Sequence, residues 1–258
     1  MTIYSHSRLS TFEQCPQKYD FKYIKKIPKD FDNSIEAFLG SKVHDTLEWV
    51  YKQTERELNL DDVIKYFVEL WNREYKSDIK IVKADVTTET YFNKGIKFLI
   101  NYYLKHTPFK DNTIETEKKI FITLDGNREY LMMGYIDRLV HHKDTNIFEI
   151  HDYKTGAAKS QRDLDQDRQL ALYSLGVREA FKEAKDVKLI WHFLDSNQQF
   201  TSVRTIEQLQ ELKKEIMELI KKIESTTEFP TNKSILCNWC EYKSKCPEFT
   251  KQSLQEFM

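Results

Sequence analysis

The sequence is short of the residues that loosen a chain. Six glycines and five prolines exclude long disordered linkers. Net charge is also scarce: 40 Lys and Arg against 41 Asp and Glu leave −1. No global field draws the chain to nucleic acid, so any such contact must use local basic patches. Candidates are Lys22, Lys25, Lys26 and Lys29; Lys118 and Lys119; Lys213, Lys214, Lys221 and Lys222; and Lys243, Lys245 and Lys251. Each reads first as a solvated face. No apolar run approaches membrane-spanning length, so no membrane partner is expected. The stretch Met1 to His6 shows no basic region leading into an apolar one. No signal peptide is therefore expected, and a reducing cytoplasm is the expected compartment. A P-loop of the form G-x4-G-K-[ST] is missing.

Cysteine is the fourth scarcity. Only Cys15, Cys237, Cys240 and Cys246 occur, one near the start and three spaced C-x2-C-x5-C near the end. A reducing compartment disfavours disulfides and favours a metal site. Four thiolates suit tetrahedral zinc or an iron–sulfur cluster. Zinc ribbons usually use two close pairs, whereas one of these four is remote. Such a site would tie the two ends of the chain together.

What is present is a helical front and a mixed rear. The first hundred residues read as helices with apolar stripes. A short one spans Ser7–Phe21, capped at Ser7 or Ser10, with Leu9, Phe12, Tyr19 and Tyr23 inward. Longer ones follow over Ile35–Tyr51, Asp61–Tyr75 and Thr87–His106. The period then changes. Strands are expected over Ile114–Leu124, Tyr130–Val140 and Ile147–Tyr153, the first two joined by a turn at Asp125-Gly126-Asn127. A helix over Leu164–Lys182, a strand over Val187–Leu194 and a helix over Ile206–Ile223 follow, and the tail Phe229–Phe249 is irregular. This order implies a mixed α/β fold. The chain is expected to form one domain: a helical front to about residue 110, a core to about 225, and a tail to 258.

Polar residues interrupt this pattern at a few places. Asp152 and Lys154 share one face of the strand Ile147–Tyr153 and its end, just before Thr155-Gly156. Asp137 breaks an apolar strand after Gly134 and could lie beside Asp152. Two carboxylates there would repel each other unless a divalent cation sat between them. His44 shares a helix face with Gly40 and Glu48, each four residues away, and Gln169 and Tyr173 are four apart on a later helix. Taken singly, these pieces read equally well as surface pairs or helix packing.

In this order, G-x3-H, G-x2-D-R, D-x-K-T-G and Q-x3-Y, bracketed by C and C-x2-C-x5-C, the chain resembles the PD-(D/E)xK nuclease superfamily. It is similar in particular to the RecB-like and AddB-like branch that carries an iron–sulfur staple, with the CRISPR-associated RecB-like exonucleases. The resemblance runs from Ser7 to Pro247. It implies a restriction-endonuclease-like core, a mixed central sheet flanked by helices. It implies Mg²⁺ or Mn²⁺ held by His44, Asp137, Asp152 and the carbonyl of Tyr153, with Asp137, Asp152 and Lys154 catalytic. Gln169 and Tyr173 would position Lys154 and the substrate backbone, and Glu48 would support the metal site. Cys15, Cys237, Cys240 and Cys246 would hold a 4Fe-4S cluster. The implied activity is metal-dependent exonuclease cleavage of DNA, single-stranded or at ends, in recombination, repair or CRISPR adaptation. The alternatives are a subunit active only with a helicase or adaptation partner, and a DNA-binding adaptor without catalysis.

Overall fold

The computed structural model describes residues 2–53, 56–125 and 129–250. Strand β1 (Ile3–Tyr4) leads into α1 (His6–Gln14) and α2 (Pro16–Tyr19), continued by one π-helical turn over Asp20–Ile24. Three helices complete the front: α3 (Ile35–Lys52), α4 (Leu60–Glu74) and α5 (Thr88–His106). The rear contains β2 (Thr113–Thr123), β3 (Leu131–His142), β4 (Ile147–Lys154), α6 (Gln161–Asp165), α7 (Arg168–Ala180), β5 (Asp186–Phe193), β6 (Gln198–Ser202) and α8 (Ile206–Ser225). The tail contains two short 3-10 turns, Ile235–Trp239 and Lys243–Lys245, and a helical stretch over the described residues 247–250.

Helix starts follow side-chain caps. Ser34 caps α3, while Asn59 with Asp62, Thr87 with Thr90, and Thr205 with Gln208 form reciprocal boxes at α4, α5 and α8. Three expectations need correction. The expected helix over Ser7–Phe21 starts earlier, capped by Ser5, whose side chain accepts from the Arg8 N–H. It also breaks at Cys15, which is extended at φ −161° and ψ 106°, because the ring of Pro16 disfavours helical backbone in the residue before it. The expected helix over Leu164–Lys182 is two helices, since Ser160 caps α6 and Asp167 caps α7 separately. Strands β1 and β6 were not foreseen; both are short and lie at the sheet's margins. The turn expected at Asp125-Gly126-Asn127 lies mostly outside the described residues.

The six strands form one mixed sheet, in the order β3-β4-β5-β6, with β2 paired along β3 and β1 beside its first two residues. Pairs β2–β3, β3–β4 and β5–β6 are antiparallel, and β4–β5 is parallel. The parallel pair needs a long crossover, which α6 and α7 supply. One face of the sheet packs against α7, α1 and α8 around Ile120, Ile136, Ile150, Leu172 and Trp191. A second core joins α3, α4 and α5 to the other face through Phe67, Phe98 and Tyr153. The helices therefore cover both faces, and α3 packs against β2 and β3. Among the described residues, no helix is long and apolar enough to cross a membrane.

Candidate active site

The site lies where β3 and β4 part. Their ladder pairs Arg138 with His151, and one step further Asp137 would meet Asp152. The ladder stops there. Instead, Asp137 Oδ2 accepts the Tyr153 N–H at 2.8 Å, so a side chain stands where a strand carbonyl would. The pleat of β3 also shifts at this point. Ile136 and Leu139, three apart, both belong to the core beneath α7, although strict alternation would put them on opposite faces. Glu117 stands opposite Asp137 by the β2–β3 register, between the pairs Thr116–Arg138 and Lys118–Ile136. Its φ of 48° is left-handed backbone, which costs a residue with a side chain on the order of 1 kcal/mol and clusters at functional sites. Both strands are thus bent at the two residues that carry carboxylates.

Helix α3 brings His44 to this bend. Its Nε2 donates to the Tyr153 carbonyl at 2.8 Å when that nitrogen carries the proton, and its Nδ1 is 3.4 Å from Asp137 Oδ2. Gly40 lets α3 come close, since a Cβ there would already sit 3.3 Å from Thr155 Oγ1. The ligand atoms of His44, Glu117 and Asp137 all lie within 4.8 Å of one another. Among the described residues, no other set of three His, Cys, Asp or Glu side chains comes together so tightly.

Asp152 stands outside that set of three, and its carboxylate is held by Lys154, whose Nζ is 3.0 Å from Oδ1 and 2.8 Å from Oδ2. The second oxygen is buried and accepts no hydrogen bond of proper geometry. Lys154 Nζ also donates to Gln169 Oε1 at 3.1 Å, and Gln169 Nε2 donates to the Tyr173 hydroxyl at 3.4 Å. Asp152, Lys154, Gln169 and Tyr173 therefore form one chain of polar contacts. Gly134 makes room for its far end: a Cβ there would be 2.2 Å from a ring carbon of Tyr173. Glu48 is ion-paired with Lys52 at 2.5 Å and reaches the site only through its charge, which helps raise the pKa of Glu117.

Burial raises the pKa of Asp137, and the charges of Asp152 and Glu117 raise it further against the opposing pull of His44 and the Tyr153 N–H. Burial likewise raises that of Glu117. Burial works against the Lys154 ammonium, yet the charge and hydrogen bond of Asp152 outweigh it and hold the pKa above the ordinary value. Three crowded acids, Glu117, Asp137 and Asp152, against the single ammonium of Lys154 form a site short of positive charge. Two carboxylates and an imidazole suit Mg²⁺ or Mn²⁺, so the donor set fits the expected cation.

The four cysteines are reduced and line one cavity of about 50 Å³. The break at Cys15 turns its side chain toward the tail, which is strapped to the front by main-chain bonds. Gln17 N–H donates to the Pro230 carbonyl at 3.1 Å and Asp30 N–H to the Glu241 carbonyl at 2.7 Å. Burial raises the pKa of Cys240 and Cys246.

Residues 3–247 match the family described as the PD-(D/E)XK nuclease superfamily. The chain belongs to that superfamily. Its mixed sheet, with helices on both faces, is the restriction-endonuclease-like fold of these nucleases. The chain is also similar to a solved structure of a protein from Eubacterium rectale described as a candidate exonuclease. The TM-score is 0.53 at 11% identity, over 94% of this chain and 87% of that one, a likeness that speaks for the fold alone. A structure of the protein SSO0001 shares 13% identity over 81% of this chain and 94% of that one, with a TM-score of 0.39. No curated protein matches the sequence.

Glu117 is the site residue that reading the sequence missed. Ile120, Ile122 and Leu124 marked its strand, but nothing in that alternation distinguishes Glu117 from Glu115. Only the register across β2 and β3 sets it beside Asp137.

Proposed function

We propose that this nuclease is a metal-dependent DNA exonuclease acting on single strands or exposed ends. The observation that carries the reading is the convergence of His44, Glu117 and Asp137 beside the Lys154 ammonium at the parting of β3 and β4. His44, Glu117 and Asp137 would hold Mg²⁺ or Mn²⁺, with Asp152 and the Tyr153 carbonyl adjacent. Such a cation polarises a phosphate and lowers the pKa of bound water. Lys154, kept protonated by Asp152, would donate to the attacking water or to the charge growing on the phosphoryl oxygens. Gln169 and Tyr173 would hold Lys154 in place. The description of the Eubacterium rectale protein as a candidate exonuclease supports action at ends.

Cys15, Cys237, Cys240 and Cys246 are proposed to hold a 4Fe-4S cluster, with a structural role in clamping the tail to the front. One remote cysteine set against a C-x2-C-x5-C run supports this reading over a zinc ribbon built from two close pairs. A helicase or adaptation partner remains the natural source of unwinding, since the sequence carries no P-loop.

The test is cleavage of end-labelled single- and double-stranded DNA with Mg²⁺, Mn²⁺ or EDTA, using anaerobically purified protein. Metal-dependent release of mononucleotides or short products from one end is expected. Metal-independent cleavage, or none by wild-type protein with or without a helicase partner, would sink the reading.

A further inference from the structure

The β2–β3 hairpin carries an exposed aromatic strip that the proposed chemistry does not use. Along β3, Met132, Gly134 and Ile136 are buried toward α7, so Met133, Tyr135 and Asp137 stand on the other face. Along β2, Ile120 and Ile122 are buried, and Lys119 and Phe121 face outward. The register pairs Phe121 with Met133 and Lys119 with Tyr135. Phe121 is 47% exposed and Tyr135 48%, a high value for two aromatic rings on neighbouring strands of a sheet. Lys119 Nζ lies 5.1 Å from the Phe121 ring centroid. The strip continues outward to Ile3, 44% exposed, which pairs with Leu131.

Its direction gives it meaning. Tyr135 is two residues from Asp137 on β3, and Lys119 is two residues from Glu117 on β2. Each step of two advances about 6.6–6.8 Å along the strand. The strip therefore runs straight into the bend that holds the carboxylates, on the side from which α3 brings His44. Exposed rings that alternate with a cation suit unpaired bases and their phosphates; a duplex presents its phosphates and hides the faces of its bases. We propose that Phe121, Tyr135 and Lys119 form a stacking platform that guides a single-stranded nucleic acid into the active site. Phe121 and Tyr135 each take a base face, and Lys119 takes a phosphate. The proposal rests on the nuclease reading of that site and adds the reason that single strands would be preferred.

The experiment is a titration of a labelled single-stranded oligonucleotide with the full chain, followed by fluorescence anisotropy with Ca²⁺ in place of Mg²⁺. Combining Phe121→Ala with Tyr135→Ala should weaken binding about tenfold or more, while Phe121→Trp should preserve it. Lys119→Ala should reduce the slope of log affinity against log salt by about 0.7. Hydrolysis of bis(p-nitrophenyl) phosphate, too small to reach the strip, should be the same in the double variant as in wild type. Both rings are exposed, so the thermal midpoint should hold; if the double variant fails to fold, the two single variants are read in its place. Wild-type affinity retained by the ring variants would overturn the platform and leave the nuclease reading standing. A wild-type protein that neither binds nor cuts any nucleic acid would overturn both.

Discussion

The main-chain N–H of Tyr153 donates to the Asp137 carboxylate at 2.8 Å. This bond replaces the next rung of the β3–β4 ladder and holds the two strands apart where the acids gather. With His44 Nε2 on the carbonyl of the same residue, the main chain of Tyr153 links α3, β3 and β4. Asp137→Asn keeps the size of the side chain and an oxygen acceptor but removes a charge from the proposed metal site. Cleavage should fall by about a hundredfold or more, and the rise in thermal midpoint on adding Mn²⁺ should shrink. Unchanged values of both would place the metal elsewhere.

Lys154 and Gln169 should separate in kinetics. Lys154→Ala removes the proposed donor to the reacting phosphate and should lower kcat by roughly a hundredfold or more. Gln169→Ala leaves that ammonium on Asp152 and frees one of its bonds, so a smaller loss, on the order of tenfold, is expected, mostly in kcat. Equal losses in the two variants would mean that Gln169 does more than position Lys154.

Gly134→Ala tests the packing beneath the site. The new methyl would fall 2.2 Å from the Tyr173 ring, and overpacking of this kind costs about 1–3 kcal/mol. Denaturant unfolding should show a loss of that order. The added variant Tyr173→Phe, still aromatic, should not restore it, whereas Tyr173→Leu should restore part.

Cys240→Ala should abolish the brown colour and the bound iron and acid-labile sulfide of anaerobically prepared protein. Proteolysis should then begin near the tail, whose hold on the front would depend on hydrogen bonds and ion pairs such as those of Gln17 N–H with Pro230 and of Asp30 with Ser244. A colourless wild type containing one equivalent of zinc would overturn the cluster.

The pH dependence of stability should carry the mark of three histidines. Burial, with the Arg138 guanidinium nearby, lowers His106 and His151 from 6.5 to about 4. Burial lowers His192 well below 6.5, with His151, Arg138 and His106 adding to the effect. Lys105 adds to the lowering at His106, while Glu149 and Asp111 partly oppose it at His151. The unfolded chain takes up these protons near pH 6.5, whereas the folded chain takes up those of His106 and His151 only near 4 and that of His192 well below 6.5. Their contribution is therefore complete above about 6.5 and is lost as pH falls toward 4. The thermal midpoint should drop across that window, and less steeply in His151→Gln; a flat profile would remove this account.

Much of the architecture was legible before any coordinates. The helical stripes of α3, α4 and α5 and the strand alternation of β2 to β4 follow from burial of one face, which writes its period into the chain. Asp152 and Lys154 were legible as a pair because two residues apart on a strand share a face. Gln169 and Tyr173 were legible because four apart on a helix do the same. His44 and Asp137 could be named as candidates, but their meeting could not be read from spacing.

The sequence by itself determined these local periods, the carboxylate and ammonium on β4, and the cysteines that bracket the chain. The tertiary structure alone decided that Glu117 joins His44 and Asp137, that Asp152 leans on Lys154, and that Phe121 and Tyr135 line up with the acids. It also decided that Cys15 faces the tail from a broken helix. The division has one physical cause. Contacts within a helix or strand are set by a fixed repeat a few residues long. Contacts between elements depend on register, on the bend at Glu117 and Asp137, and on how closely glycines let helices approach, none of which leaves a periodic signal in the chain.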